Sequence, residues 1–197
     1  IKIMQNNKIK FIKNKPQTVK SNQYDIFTPS ENEVGNGFAR LLVARNNALS
    51  NLATDFDGEA DKLEKVDTKN GIDFINDSYA INFNRLWYSL DAMYKPTTWI
   101  MSINSVEDIE ESLVELIQEK VKTIVMVNVF DSTVYNFFQS LDKTVLLTNN
   151  LEEAVRKAFY ASEPGDTVLF SPGVKTEVYY ANYHDRGEKF KNAIAQL

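Results

Sequence analysis

From residue 62 to the end of the chain, short apolar segments alternate with amphipathic ones, and this alternation constrains the fold more than any other feature. Residues 122–127 and 167–170 are almost entirely apolar, as strands of a parallel sheet that is buried on both faces must be. Between such segments, apolar residues recur every three or four positions, which is typical of helices with one buried face. The repeated strand–helix units predict an α/β fold, with a Rossmann-like, mostly parallel sheet covered by helices on both faces.

The boundaries of these elements follow from the same patterns and from turn and cap residues. The predicted strands are 62–66, 72–76, 97–103, 122–127, 144–147 and 167–170, of which the first two form a hairpin. The predicted helices are 82–93, 105–120, 132–140, one capped by Asn150, and a closing helix capped by Asp185. In the first helix, the predicted buried face is Phe83, Leu86, Trp87, Leu90 and Tyr94. In the closing helix, Arg186 is expected to reach a carboxylate on the sheet.

The first 60 residues differ from the rest and are predicted to be a separate region. Residues 1–13 alternate apolar and basic side chains around Asn6 and Asn7, which predicts a small β-hairpin, and a helix is predicted over 34–49. Six lysines fall within the first 20 residues. An edge hairpin protected by lysines is favoured over an anion-binding arm. The predicted division is therefore 1–60, a hairpin, helix and acidic linker, and 61–197, the α/β domain.

Composition narrows the classes of partner and of chemistry. The chain of 197 residues has a net charge of −5 and no cysteine. A negative chain gains no general electrostatic attraction to nucleic acid or to an anionic membrane, so neither is expected as a partner. Without cysteine, disulfides, thiolate chemistry and sulfur-ligated zinc are excluded. No apolar run reaches the ~18 residues of a membrane span, and we expect a cytoplasmic protein.

Three polar segments directly follow predicted strands, at 76–78, 102–105 and 171–173. In an open α/β sheet, ligands bind beyond the carboxyl ends of the strands, so these segments form the candidate site. The alternative is that strand-to-helix loops need Asn, Asp and Ser for turns and caps. This alternative is favoured for the second segment and remains open for the first and third.

Two further features carry weaker signals. His184 is the only histidine, so no pair of histidines can bind a metal or share a proton within one chain, and a surface or cap role is favoured. An acidic run at Asp55, Asp57, Glu59 and Asp61 lacks the glycine and distal glutamate of a calcium loop, which favours a solvated linker.

From about residue 56 to residue 197 the sequence resembles the Mur ligase family, most closely the C-terminal domain of its D-glutamate-adding ligases. Residues 32–55 are similar, more weakly, to the end of the family's central ATP-binding domain, so the resemblance implies that residues 1–60 are a remnant of that domain. The segments that carry the main resemblance, in the family's order and spacing, are 56–64, 71–78, Asn82, 95–100, 165–172 and 182–190.

The resemblance implies both an activity and a set of site residues. The family joins an amino acid to a UDP-muramoyl peptide through an acyl phosphate, made from ATP with Mg²⁺, during peptidoglycan synthesis. By resemblance, Lys62, Asp77 and Asn82 correspond to nucleotide-contacting positions, and Ser171 and Tyr180 to substrate-binding positions.

The chain departs from the family pattern at positions that carry charge. Tyr79 stands where the family has a lysine that meets the phosphates, and Ile81 replaces a threonine near the D-glutamate carboxylate. Residues 102–106 lack the family's glycines and the lysine that binds D-glutamate. Each charged contact contributes on the order of 1.5–3 kcal/mol, so the loss of two lysines implies roughly a hundredfold weaker binding or more.

These departures predict a truncated, catalytically inactive relative that acts as a binding or interaction module. No residue is expected to be catalytic or metal-binding, and no cofactor is expected for the chain alone. The patch of Tyr79, Ile81, Tyr179 and Tyr180 is expected to bind a protein partner or a second copy through the former interdomain face. The alternative is the C-terminal part of a split acid–amino-acid ligase, completed by another chain that carries the phosphate loop and using ATP and Mg²⁺.

Overall fold

The structure is a computed structural model that describes residues 2–5, 8–11, 59–107, 109–176 and 179–197. The chain forms two compact units, Ile1–Asp55 and Phe56–Leu197. In the first unit, β1 (Lys2–Gln5) and β2 (Lys8–Phe11) pair antiparallel, which confirms the predicted pair of strands. The predicted helix at 34–49 and residues 55–58 of the acidic run lie outside the described residues. The derivation of residues 1–60 from a central ligase domain stays a prediction.

The second unit is built on a six-stranded sheet. Its strands are β3 (Glu64–Lys69), β4 (Ile72–Asn76), β5 (Thr97–Met101), β6 (Val121–Val127), β7 (Thr144–Thr148) and β8 (Thr167–Phe170). Their order across the sheet is β3-β4-β8-β5-β6-β7. Only β3 is antiparallel to its neighbour, and the other four pairs of neighbours are parallel. The predicted mostly parallel α/β sheet is confirmed.

Within the described residues, five helices accompany the sheet: α1 (Phe83–Asp91), α2 (Glu111–Lys120), α3 (Ser132–Gln139), α4 (Leu151–Ala161) and α5 (Tyr183–Ala195). On one face, apolar residues of α4 and α5 form a single core with alternate residues of β4, β5, β6 and β8. On the other face, Phe138 of α3 meets Trp99 of β5 edge to face at 5.8 Å. Helices therefore cover both faces, as predicted. None of the helices within the described ranges is long and apolar enough to cross a membrane.

The hairpin of β3 and β4 begins two residues later than predicted. Asp61 and Leu63 adopt φ values of 68° and 50°, a left-handed conformation that is incompatible with strand pairing, so the strand starts at Glu64. At the other end, Asn70 and Gly71 have φ values of 52° and 78°. Two consecutive residues with positive φ are the signature of a type I′ turn, and the sequence Asn-Gly is its preferred composition.

The predicted start of α2 is wrong. The helix begins at Glu111 rather than near Ser105, whose hydroxyl instead accepts a hydrogen bond from the amide of Glu107 at 3.3 Å. Val106 and Ile109 are buried, and the Ile109 amide donates to the Val106 carbonyl in a turn. Residues 105–107 and 109–110, predicted as the start of the helix, are therefore a loop that two buried side chains hold in place.

Two other helix boundaries also differ from the sequence prediction. Because α1 ends at Asp91, Tyr94 lies beyond the helix and is 51% exposed rather than buried. Helix α5 begins at Tyr183, with the Asn182 side chain accepting from the amide of Asp185 at 2.9 Å. Asn182 is therefore the cap, and Asp185 lies in the first turn.

Candidate functional site

The three predicted polar loops meet at one edge of the sheet. Strands β4, β8 and β5 are neighbours, so their carboxyl ends lie side by side. The amide of Asp77 donates to the carbonyl of Phe170 at 2.8 Å, which joins the loops after β4 and β8. The amide of Ser102 donates to the carbonyl of Pro172 at 3.1 Å, which joins the loops after β5 and β8. The structure thus brings together what the sequence placed at separate strand ends.

Asp77 points into the domain rather than out of it. One carboxylate oxygen accepts hydrogen bonds from the hydroxyls of Ser89 and, at 3.1 Å, Ser171, and the other accepts from the Leu63 amide at 3.3 Å. Burial raises the pKa of Asp77 to about 6, although these hydrogen bonds oppose the rise. Both Asp77 and Ser171 are buried. The hydrogen bonds of Asp77 join the segment at Leu63, helix α1 at Ser89 and the loop after β8 at Ser171.

Tyr79 is surrounded by cations. The Nζ of Lys62 lies 5.0 Å, and the guanidinium carbon of Arg85 4.5 Å, from the centroid of its ring. Tyr183 packs against the same ring edge to face, with centroids 4.9 Å apart. Two positive groups this close to the centroid of an aromatic ring form cation–π contacts. The sequence prediction missed Arg85, although its place in the first turn of α1 puts it at this same edge.

The other predicted site residues have local partners. Lys62 donates to a Glu59 carboxylate oxygen at 2.7 Å, a hydrogen bond that raises the pKa of Lys62. The Asn82 side chain caps α1 by accepting from the Arg85 amide at 3.0 Å. Tyr180 has the Nζ of Lys189 4.8 Å from its ring centroid. Of the predicted site residues, Asp77 and Ser171 are therefore in direct contact. Lys62 and Asn82 are linked only indirectly, because the Tyr79 ring contacts both Lys62 and Arg85, and Asn82 accepts from the Arg85 amide.

A second polar cluster joins the start of the domain to its last helix. Asp61 is only 2% exposed, so the interpretation of this residue as part of a solvated linker is wrong. Its carboxylate lies 2.6 Å from Nδ1 of His184 and accepts from the Asn76 amide at 2.9 Å and the Ser78 hydroxyl at 3.2 Å. The contact with Asp61 raises the pKa of His184, whose ring is largely exposed, as predicted.

Helix α5 approaches this cluster closely because residue 187 is a glycine. A Cβ at Gly187 would lie 2.1 Å from a carboxylate oxygen of Asp61 and 2.6 Å from the Ser78 hydroxyl. The neighbouring Arg186 is fully buried and donates to the carbonyls of Ser78 at 2.8 Å and Val174 at 3.3 Å. The loops after β4 and β8 are therefore held by the start of α5.

A cavity of about 580 Å³ opens beside these loops. Its walls combine apolar side chains such as Ile81 and Ile103 with the neutral polar residues Asn104 and Thr176, and with the exposed Lys175. Such a lining offers hydrogen bonds and one positive charge, rather than the several cations that a dianionic ligand would need.

A magnesium–nucleotide group does not fit at Asp77. Both of its carboxylate oxygens already accept hydrogen bonds from Leu63, Ser89 or Ser171, and the side chain is turned away from the surface. Within the described ranges, no group of three or more His, Asp or Glu side chains is placed to hold a metal ion.

Comparison with known proteins identifies UDP-N-acetylmuramoylalanine–D-glutamate ligases as relatives. No protein-family model matches the chain. A UDP-N-acetylmuramoylalanine–D-glutamate ligase of Christiangramia forsetii is 34% identical over 159 residues, which cover 81% of this chain and 36% of that one. The enzyme of the same name from Bacteroides fragilis is 34% identical over 145 residues, 73% of this chain and 33% of that one.

Solved structures of Mur ligases are also similar, at low sequence identity. A UDP-N-acetylmuramate–alanine ligase from Thermotoga maritima gives a TM-score of 0.46 at 16% identity and covers 86% of this chain and 39% of that one. The chain spans about a third of the length of the curated relatives that it matches. On the strength of its sequence relatives, the chain belongs to the Mur ligase family, as a relative of the C-terminal domain of the UDP-N-acetylmuramoylalanine–D-glutamate ligases.

Proposed function

We propose that this chain is a catalytically inactive relative of the D-glutamate-adding ligases and acts in the cytoplasm as a binding module. The observation that carries the proposal is the state of Asp77. Its carboxylate is buried and its oxygens accept hydrogen bonds from the domain's own Leu63, Ser89 and Ser171. A carboxylate engaged in this way supports the fold and is not presented to a metal or nucleotide.

The loss of positive charge at this edge of the sheet supports the same proposal. Tyr79 occupies the position at which the family resemblance implies a phosphate-binding lysine, and Lys62 is engaged by Glu59. The cavity beside the loops has Lys175 as its charged lining residue. Two missing lysine contacts correspond to roughly a hundredfold weaker binding of anionic substrates or more.

Calorimetric titration of the chain with D-glutamate, ATP–Mg²⁺ and UDP-N-acetylmuramoylalanine, each added separately, tests the proposal. We expect no saturable heat with any of the three at millimolar concentration. Tyr79→Lys adds one charge-assisted contact, worth about tenfold in affinity, and should therefore produce a detectable heat with ATP. The matched control is Tyr160→Lys, at a residue that is 82% exposed on α4. Saturable micromolar binding by the unmodified chain, or release of phosphate from ATP in the complete mixture, would contradict the proposal.

A second candidate function is the C-terminal part of a ligase that another polypeptide completes with the ATP-binding domain. One observation favours it: Lys62 and Arg85 still place two positive groups around Tyr79 at the sheet edge. In that case, mixing with a chain that carries the phosphate loop should restore phosphate release. Arg85→Ala should reduce the restored rate by about tenfold or more, whereas Arg156→Ala on α4 should leave it unchanged.

A further inference from the structure

A groove lies between α1 and α2, and apart from Asn82, which caps α1, its lining residues have no role in the site described above. Its volume is about 750 Å³, and its walls include Phe83, Trp87 and Tyr88 from α1, Leu113 from α2, and Glu110, the residue directly before α2. We call this surface the α1–α2 groove. Its aromatic residues come from α1, which packs against α2, and Glu110 is the N-cap residue of α2.

Aromatic rings form much of the groove. Tyr88 is 67% exposed, a high value for a large ring, while Trp87 and Phe83 are half-buried. The rings of Trp87 and Tyr88 lie edge to face with centroids 5.3 Å apart. Their π faces are electron-rich and attract cations, and the exposed area of Tyr88 is available to a partner.

Carboxylates accompany the rings. Glu110 lies in the groove and is exposed, and its side chain does not cap α2. Glu111 and Glu115 follow on the exposed side of the same helix, one turn apart. In the part of the chain that the structure describes, none of these three carboxylates forms an ion pair. Glu110 thus places an unpaired negative charge in the aromatic groove, and such a charge is complementary to a basic group.

The partial positive charges at the N-termini of α1 and α2 do not make the groove favour an anion over a cation. The N-terminus of α1 is capped by Asn82, and Glu110 and Glu111 place two negative charges at the N-terminus of α2. Carboxylates at this position offset the partial positive charge of the helix. The wider field acts in the same direction, because residues 56–197 contain 23 acidic and 14 basic side chains.

We infer that the α1–α2 groove binds an arginine side chain from a basic segment of a partner protein. The planar guanidinium stacks on Trp87 or Tyr88 and pairs with Glu110, while the aliphatic part of the side chain packs on the apolar lining. Arginine is favoured over lysine because its flat, five-donor head can both stack on a ring and form two hydrogen bonds with one carboxylate. This inference uses none of the residues behind the proposed function, so either can fail alone.

The two tryptophans make the inference directly testable. Trp99 is fully buried and donates its indole N–H to the Ser171 carbonyl at 2.7 Å, whereas Trp87 lines the groove. The probe is a nine-residue Gly/Ser peptide with a central Arg-Gly-Arg, titrated into the ¹⁵N-labelled chain. We expect the Trp87 indole N–H signal to shift saturably and the Trp99 signal to stay in place. A Gln-Gly-Gln peptide should produce no shift, and a Lys-Gly-Lys peptide should bind severalfold more weakly.

Matched variants separate groove binding from general attraction to a negative protein. Glu110→Gln and Tyr88→Ala should each weaken binding at least fivefold. Glu152→Gln, at an exposed position in the first turn of α4, changes the net charge equally and should alter binding less than twofold.

Several results would overturn the inference. They are an unshifted Trp87 signal, equal weakening by Glu110→Gln and Glu152→Gln, and binding of free arginine amide as tight as that of the peptide. A concentration-dependent shift of Trp87 without any peptide would identify a second copy as the occupant, and would also overturn it.

Discussion

Asp77 shows how one buried carboxyl group can make stability depend on pH. Burial raises its pKa to about 6 in the folded protein, from 3.8 for the free group. The folded state therefore holds a proton that the unfolded chain releases between these two values, and stability falls as pH rises from about 4 to about 6. A shift of about two pKa units corresponds to about 3 kcal/mol.

The expected outcome is that Asp77→Asn removes most of this pH dependence. Urea unfolding at pH 4, 5, 6 and 7 measures it, with the variant's slope compared with that of the unmodified chain. Asp73 does not interfere: burial alone would raise its pKa, but hydrogen bonds from Lys95, Thr68 and Lys65 lower it to about 2. Its contribution is complete above about 4 and is lost only as pH falls below that. Parallel slopes for Asp77→Asn and the unmodified chain would contradict the assignment.

His184 should contribute to the stability of the fold in a way that depends on pH, in a higher pH range than Asp77. Its contact with Asp61 raises the pKa of the imidazole, so the protonated ring is favoured in the folded state. The contribution is full below the unfolded pKa of about 6.5 and is lost as pH rises through the folded value. The difference in melting temperature between the unmodified chain and His184→Gln should therefore shrink from pH 6 to pH 9. A constant difference would show that the contact does not depend on charge.

At the scale of the element, α5 depends on a glycine that a helix would normally disfavour. In an exposed helix interior, replacement of glycine by alanine stabilises by about 1 kcal/mol. At Gly187 the new methyl group would lie 2.1 Å from the Asp61 carboxylate and 2.9 Å from the Asn76 amide nitrogen, both buried polar groups. We expect Gly187→Ala to destabilise the domain by about 2 kcal/mol or more, because α5 must move or the cluster must break.

Thermal or urea unfolding checks this prediction. Asn192→Ala is the matched control, because Asn192 is exposed on the same helix and its replacement should change stability by less than about 0.5 kcal/mol. If Gly187→Ala were as stable as the control or more so, the close approach of α5 to the Asp61 cluster would be wrong.

Caps and periodicity explain which elements could be predicted. Asn150 caps α4 by accepting from the Glu153 amide at 2.7 Å, as its sequence context indicated. The serine near the predicted start of α2 has the same kind of sequence context, but burial of Val106 and Ile109 holds that segment in a loop. A local hydrogen-bonding signal specifies a turn or a helix start equally well, and tertiary packing chooses between them.

At the scale of the whole molecule, residues 56–197 should fold without the first 55. The core of this unit consists of residues between Ile72 and Ile194, and the two compact units divide at residue 55. We expect a fragment of residues 56–197 to show a cooperative melt within a few degrees of the full chain, by circular dichroism at equal concentration. A fragment without a cooperative transition would show that the first unit is needed for folding.

The candidate site was predictable in position but not in its internal contacts. The carboxyl-end rule correctly located the loops after β4, β5 and β8, and the structure joins them. The orientation of Asp77 into the domain, and the contact of Arg85 with Tyr79, depend on how α1 packs over the sheet edge. No local pattern reports that orientation.

The sequence alone determined the layers of this protein. Side chains on one face recur every two residues in a strand and every 3.6 residues in a helix, so the spacing of apolar residues shows which faces are buried. It also determined the family, through motifs in a fixed order. Only the tertiary structure decided the polar contacts: Asp77 meets Ser171 across 94 positions of sequence, and Asp61 meets His184 across 123. Such hydrogen bonds require distances accurate to a few tenths of an ångström, and only the packed sheet and helices fix distances between remote residues that closely.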